Sequence, residues 1–328
     1  MMSRLAGRRV LVTGGTGFIG SALVRGLLRR GAHVRCLDNN SRGAAGKLGD
    51  ALGEVEVIEG DIRDAGVVAA AVKGMDSVCH LAYVNGTEFF YEKPDLVLDV
   101  AVKGMMNVLD ACLQWKVRDL VLASSSEVYQ TPPVIPTPED VPLVVPDVFN
   151  PRYSYGGGKI ISELLLINYG RKHFDRAVIF RPHNVYGPDM GREHVIPQFA
   201  LRMRRACEAG PPAGVVPFPI QGTGEETRSF IYIDDFTEGL LRIVERGAHL
   251  QVYHIGTREE VTITEVARLV AQRFEREIEL EFGAVLPGST ARRCPDVSKL
   301  EALGFEPSTR LADGIASTVD WYRSCPIE

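Results

Sequence analysis

The sequence predicts an α/β chain built on a doubly wound parallel sheet, with a smaller, interleaved C-terminal substrate domain. Three observations carry that expectation. Short apolar runs alternate with helical stretches up to about residue 182, a glycine-rich turn joins the first run to the first helix, and after Pro182 the texture turns rich in proline and glycine. Strands that alternate with helices need crossover connections, and crossovers make a sheet parallel. With 328 residues, 45% of them hydrophobic, the chain is long enough for a large core and two domains.

Residues 9–12 read as the first strand and 19–30 as the first helix. Further strands are expected at 33–37, 55–59, 76–81, 120–123 and 177–180. Periodicity breaks after Pro182, with loops such as Gly210-Pro211-Pro212. Residues 229–233 then resume a strand and 235–245 a helix, so the chain is expected to revisit the first domain over 225–252. Helices are expected at 264–274 and 311–322. The predicted dinucleotide domain is therefore 1–182 with 225–252, and the substrate domain 183–224 with 253–328.

The net charge of -5 comes with no basic block, which speaks against nucleic acid as a partner. No run of 18 apolar residues exists and the start lacks a signal-peptide core, so no membrane association is expected. Six scattered cysteines, without a CxxC pair or metal-type spacing, read as reduced thiols of a cytoplasmic protein without a metal site.

Gly14-Gly15-Thr16-Gly17-Phe18-Ile19-Gly20 follows the first strand and opens the first helix. Gly14, Gly17 and Gly20 allow a tight turn, close approach of a pyrophosphate and close helix–strand packing, with the helix N-terminus facing the phosphates. Asp38 follows the second strand, where a carboxylate bonds the ribose hydroxyls of NAD; Arg42 nearby leaves room for the 2′-phosphate of NADP. The expected cofactor contacts are Gly14, Gly17, Phe18, Ile19, Gly20, Asp38 and Asn39, then Leu81 and Ala82 after a later strand. Asp61 and Ile62 would sit by the adenine or form a plain strand-end turn.

Tyr155 and Lys159 stand four apart at a helix start, hence on one face. A phenol ordinarily titrates near 10, and a lysine ammonium with a nicotinamide cation beside it would lower that value and make a base available. The intervening Gly156, Gly157 and Gly158 are unfavourable in a helix, which a cofactor or sugar backing onto that turn would explain, as would a strained helix start.

These segments together resemble the extended short-chain dehydrogenase/reductase family, over roughly residues 8–323. The resemblance implies a Rossmann-type fold and NAD as cofactor. By the same resemblance Ser125 of Ser124-Ser125-Ser126-Glu127-Val128-Tyr129 hydrogen-bonds a sugar hydroxyl, Tyr155 takes its proton and Lys159 holds the nicotinamide ribose. Ser124 and Ser126 are one-residue alternatives for Ser125. Residues 181–188 resemble the family's R-x-x-N-x-Y-G-P element, which makes Asn184 a contact of a sugar diphosphate. Residues 227–235 resemble its R-x-F/Y-x-x-x-x-D element, which makes Arg228 a diphosphate clamp, a role that a planar guanidinium suits. Arg293 is a second candidate clamp. Tyr83, Asn85 and Thr87 either line the sugar pocket or fill a loop, and Ala101 stands where relatives often carry Asn.

The implied substrate is a nucleotide-diphosphate sugar oxidised at C4, with an epimerase as the first expectation. Glu127 resembles the glutamate of UDP-glucuronate decarboxylases and 4,6-dehydratases, which keeps both lyase outcomes open. Ser126 occupies the place of the dehydratases' aspartate. The stretch from Arg181 to His194 resembles GDP-mannose 3,5-epimerases, so Glu127 and His194 form a candidate acid/base pair, unless His194 is an ordinary loop residue. A non-catalytic NAD-binding sensor is a remote alternative. Two helices, near 95–115 and 155–170, are apolar beyond one face, and the resemblance implies a homodimer through them.

Overall fold

The computed structural model describes residues 4–210, 214–284 and 290–325; Pro211 and Pro212 of the expected loop lie outside the described residues, as does the side chain of Thr87. The strands in chain order are β1 (Arg9–Thr13), β2 (His33–Asp38), β3 (Val55–Glu59), β4 (Ser77–His80), β5 (Asp119–Ala123), β6 (Arg176–Pro182) and β7 (Val185–Tyr186). Then follow β8 (Val215–Ile220), β9 (Thr227–Ser229), β10 (Ile231–Tyr232), β11 (Gln251–Ile255), β12 (Glu260–Thr262), β13 (Glu277–Phe282) and β14 (Arg292–Arg293).

Seven of these form one parallel sheet in the order β11-β6-β5-β4-β1-β2-β3. β4 and β5 are buried along their whole length, because helices cover both faces. On one face the Phe18–Arg29 and Ile233–Arg246 helices pack over Val10, Val12, Val178 and Phe180. On the other the Ala65–Val72, Met105–Trp115 and Ser154–His173 helices pack over Leu11, Leu120, Leu122 and Ile179. The order reverses between β1 and β4, so successive crossovers leave in opposite directions and open a crevice at the strands' C-terminal ends.

A third cluster joins the Val195–Ala209, Ile263–Arg273 and Leu311–Ser324 helices to the parallel pair β8–β13. The small sheet β12-β9-β14 sets Arg228 beside Arg293 in register.

Residues 229–233 do not form the expected returning strand. They break at Phe230 into β9 and β10, which pair in two small sheets, and the large sheet is rejoined by the Ile233–Arg246 helix and β11. β11 also runs across the boundary expected at residue 252. The helix expected near 95–115 is a run of Pro94–Asp99 and Met105–Trp115 joined by a π-helical turn, Val100–Gly104.

Candidate active site

The crevice holds a cavity of about 640 Å³, walled at one end by the glycine turn and at the other by Tyr155 and Lys159. Gly14 has a φ of +74°, and a side chain there would press on the Ala82 backbone at 2.7 Å. A side chain at Gly20 would run into the Gly14 carbonyl, so turn, helix and the β4 end touch directly. Gly17 differs. Its missing Cβ meets only Gly14 O at 3.4 Å, it faces the cavity, and as N-cap it makes no side-chain bond to the first turn. The helix N-terminus is thus left with donors for an anion.

Asp38 lies in the same wall, its two oxygens accepting from Thr16 N and Asn40 N at 3.0 Å each. Those bonds fix the carboxylate facing the cavity. Asn39 reaches Asp61 at 3.4 Å, and the hydrogen bond from Arg63 holds the Asp61 carboxyl below its ordinary range. Ile62 packs where a side chain at Gly104 would stand, and Phe18, Ile19, Leu81 and Ala82 also reach the cavity. Open turn, uncapped helix and oriented carboxylate together fit a dinucleotide. Arg42, an option for a 2′-phosphate in the sequence, is taken: it pairs with Glu193 and lies over the Phe89 ring at 5.4 Å. Lys47 makes a parallel link to Asp189, donating to its carbonyl at 2.7 Å.

At the other end the serines divide. Ser124 also borders the cavity but donates its hydroxyl to Glu163, a carboxylate also bridged by Arg181. Ser125 accepts from Glu127 N at 3.1 Å and lines the cavity beside the Tyr155 phenol, which it draws down; Ser126 is buried in the cavity wall. Tyr155 stacks on Phe90 at 4.8 Å, and burial pushes its phenol up to about 12. The Lys159 nitrogen is 5.9 Å from the Tyr155 ring centre, donates to Ala123 O at 2.7 Å, and burial brings it down to about 7.

The three helix glycines have local causes. A side chain at Gly156 would meet Glu127 O at 3.0 Å, and one at Gly158 would meet Tyr83 and Ala101; Gly157 has ordinary room. Packing against this chain's own residues thus accounts for two of them without a ligand.

An adjoining cavity of about 300 Å³ is shared by Glu127, Asn184, His194, Arg228 and Arg293. Arg293 does not stand free as a clamp: it donates to Glu127 at 2.5 Å and to Thr290 at 3.1 Å. Burial pushes the Glu127 carboxyl up, but the guanidiniums of Arg293, then Arg152 and Arg228, bring it below its ordinary range. Arg228 is brought down to about 10 by burial and by Arg293. Asn184 adopts φ +39° and donates to Ser229 O at 2.8 Å. His194 is the N-cap of the Val195–Ala209 helix, and burial keeps its imidazole below its ordinary pKa, hence neutral. Asn85 reaches the first cavity but spends its oxygen on Gly86 N at 2.9 Å.

Two contributors escaped the sequence reading. Arg152 borders both cavities, and its Nε is buried without a partner. Nothing in the spacing marks it. Glu163 was readable in principle, because Tyr155, Lys159 and Glu163 follow at four-residue steps on one helix face.

The model of the NAD dependent epimerase/dehydratase family matches residues 10–256. The chain is 33% identical to dTDP-4-dehydro-6-deoxy-D-allose reductase of Streptomyces bikiniensis, over 98% of each chain. It is also 33% identical to UDP-glucuronic acid decarboxylase 6 of Arabidopsis thaliana, over 96% of this chain and 89% of that one. The crystal structure of Thermus thermophilus UDP-glucose 4-epimerase in complex with NAD superposes with a TM-score of 0.84 at 30% identity, covering 97% of this chain and all of that one.

Proposed function

The chain belongs to the NAD dependent epimerase/dehydratase family, and from that premise we propose that it is an NAD-dependent nucleotide-sugar epimerase working through transient oxidation at sugar C4. The observation that supports this reading is the ionised Glu127, paired with Arg293 and lining one cavity with Ser125, Tyr155 and Lys159.

NAD, when bound, supplies a hydride acceptor at C4, later its donor, and a positive ring beside the phenol. The Gly14–Gly20 turn binds its pyrophosphate and Asp38 its adenosine ribose, with Phe18, Ile19, Asn39, Asp61, Ile62, Leu81 and Ala82 packed around it. Ser125 orients the C4 hydroxyl and Tyr155 receives its proton. With the phenol at about 12, phenolate becomes available at neutral pH when positive charge beside it draws the pKa down, and Lys159 supplies such charge when protonated. Asn184, Arg228 and Arg152 hold the diphosphate.

A C4 ketone acidifies the neighbouring carbons. Glu127 is a carboxylate at neutral pH and removes a proton there, and His194, in the same cavity, returns one from the other side from its protonated form, which its lowered pKa makes a strong acid; each then re-equilibrates with water. Ser126, not an acid, leaves water elimination without a proton donor at that position.

The arginines favour a second reading. Arg293 already answers one carboxylate, Glu127, so this end of the cavity suits a substrate carrying its own C6 carboxylate, whose loss as carbon dioxide would make the chain a decarboxylase.

Mass spectrometry of UDP-, dTDP- and GDP-linked sugars, uronic acids included, after incubation with NAD in heavy water tests both. An isomer carrying deuterium on carbon supports the epimerase with Glu127 and His194. An isomer without deuterium leaves hydride return at C4 alone and removes their role. Loss of carbon dioxide replaces the first reading by the second, and loss of water contradicts both.

A further inference from the structure

Lys159 enters the crevice as a buried cation with few partners. Its nitrogen donates to Ala123 O at 2.7 Å at the end of β5. The carboxylate nearest along its own helix is Glu163, but Glu163 is already engaged by Arg181 through two nitrogens and by Ser124. On β4, His80 lies close enough to oppose a charge on Lys159 and is held neutral by burial, its ring bonded to Thr13. Tyr155 is a neutral phenol.

The remaining neighbour is Tyr83, whose ring centre lies 3.7 Å from the Lys159 nitrogen. That is well inside cation–π range, and Lys159 is fully buried, which is where such a contact is strongest. The rest of the Tyr83 environment is built around this placement. The ring sits edge-on to Tyr155 at 5.2 Å, and the hydroxyl donates to the Tyr155 carbonyl at 3.4 Å. Its tip fills the space that a side chain at Gly158 would take, beside Ala101 in the π-helical turn.

From this geometry we infer that Tyr83 is a positioning residue, whose ring face holds the Lys159 ammonium at the nicotinamide end of the cavity. The inference rests on the proposed role of Lys159 in holding the cofactor ribose. Tyr83 is thereby neither a plain sugar-pocket wall nor loop filling. The ring stabilises only the protonated lysine, so removing it moves the lysine's titration to lower pH; the hydroxyl contributes little, so phenylalanine serves in its place.

Fluorescence titration of cofactor-free protein with NADH between pH 6 and pH 9 reads this out, with melting curves confirming that each variant folds. Tyr83→Leu is expected to weaken NADH about tenfold and to move the midpoint of its pH dependence down by about half a unit, while Tyr83→Phe behaves as the parent. Tyr83→Met substitutes for the leucine variant if that one fails to fold. Unchanged affinity and midpoint in the aliphatic variants overturn the inference, as does a phenylalanine variant as impaired as leucine. Lys159→Met separates the two levels. If it leaves NADH affinity intact, the cofactor role of Lys159 falls; if it weakens NADH while Tyr83→Leu does not, only the role of Tyr83 falls.

Discussion

Arg293 Nη1 lies 2.5 Å from Oε1 of Glu127, joining β14 to the turn after β5 across 166 residues of chain. The pair decides the protonation of the one carboxylate that the proposed chemistry needs beside the sugar. Glu127→Gln should keep the first half-reaction, seen as absorbance of reduced nicotinamide when substrate is added, and reduce product formation by about 100-fold or more. Product formed at the parent rate would remove Glu127 from the chemistry.

Tyr155→Phe preserves the stacking on Phe90 and the edge contact with Tyr83, since both engage the ring. Turnover should drop by about 1,000-fold or more, with NADH affinity within about twofold of the parent. Retained turnover in single-cycle assays would mean that another group takes the C4 proton.

Lys159 gives a pH dependence with a definite sign. Its proton leaves at about 7 in the folded protein, against 10.5 for an ordinary lysine. Between those values the unfolded chain binds a proton that the folded one does not, so stability rises with pH across the window, by about 1.4 kcal/mol per unit. Below pH 7 both states are protonated and the slope vanishes. Melting curves of cofactor-free Lys159→Met against the parent should show this slope only in the parent; identical slopes would place the lysine in water.

Asp38 and the Arg42–Glu193 pair are expected to set cofactor choice together. A 2′-phosphate would face the oriented carboxylate, while the guanidinium that could neutralise it is engaged. NAD should bind at least about tenfold more tightly than NADP, and Asp38→Ala should narrow the gap. Equal affinities in the parent, measured by competitive titration, would contradict this.

Leu98, Leu113, Trp115, Ile161 and Leu164 are exposed apolar residues on the two helices proposed to pair between subunits, Leu164 at 58%. Light scattering at micromolar concentration should give a dimer mass, and Leu164→Glu should shift it toward monomer. A monomeric parent would leave those helices without the proposed partner.

The first half of the fold was legible because its signals are local. A buried parallel strand must be a short apolar run, and a helix N-terminus facing phosphate needs glycine at fixed offsets, so β1 through β6 and the Gly14–Gly20 turn stand within a few residues of their expected places. The second half was less legible. β11 has no distinctive run of its own, and residues 229–233 carry a strand composition that β9 and β10 divide between two small sheets.

The sequence by itself made the glycine turn and the Tyr155–Lys159 pair legible, since each depends on residues a few places apart on one turn or helix; that Ser125 lines the same cavity as that pair brings a strand end to a distant helix, and spacing gives no such distance. Tertiary structure alone decided that Arg293 answers Glu127, that Arg42 is spent on Glu193, and that Tyr83 sits over Lys159. It also set the burial that pushes the Tyr155 phenol up to about 12, which no spacing rule gives. Charge pairing and desolvation depend on which distant segments meet and on how much water they exclude, and both are properties of the packed chain.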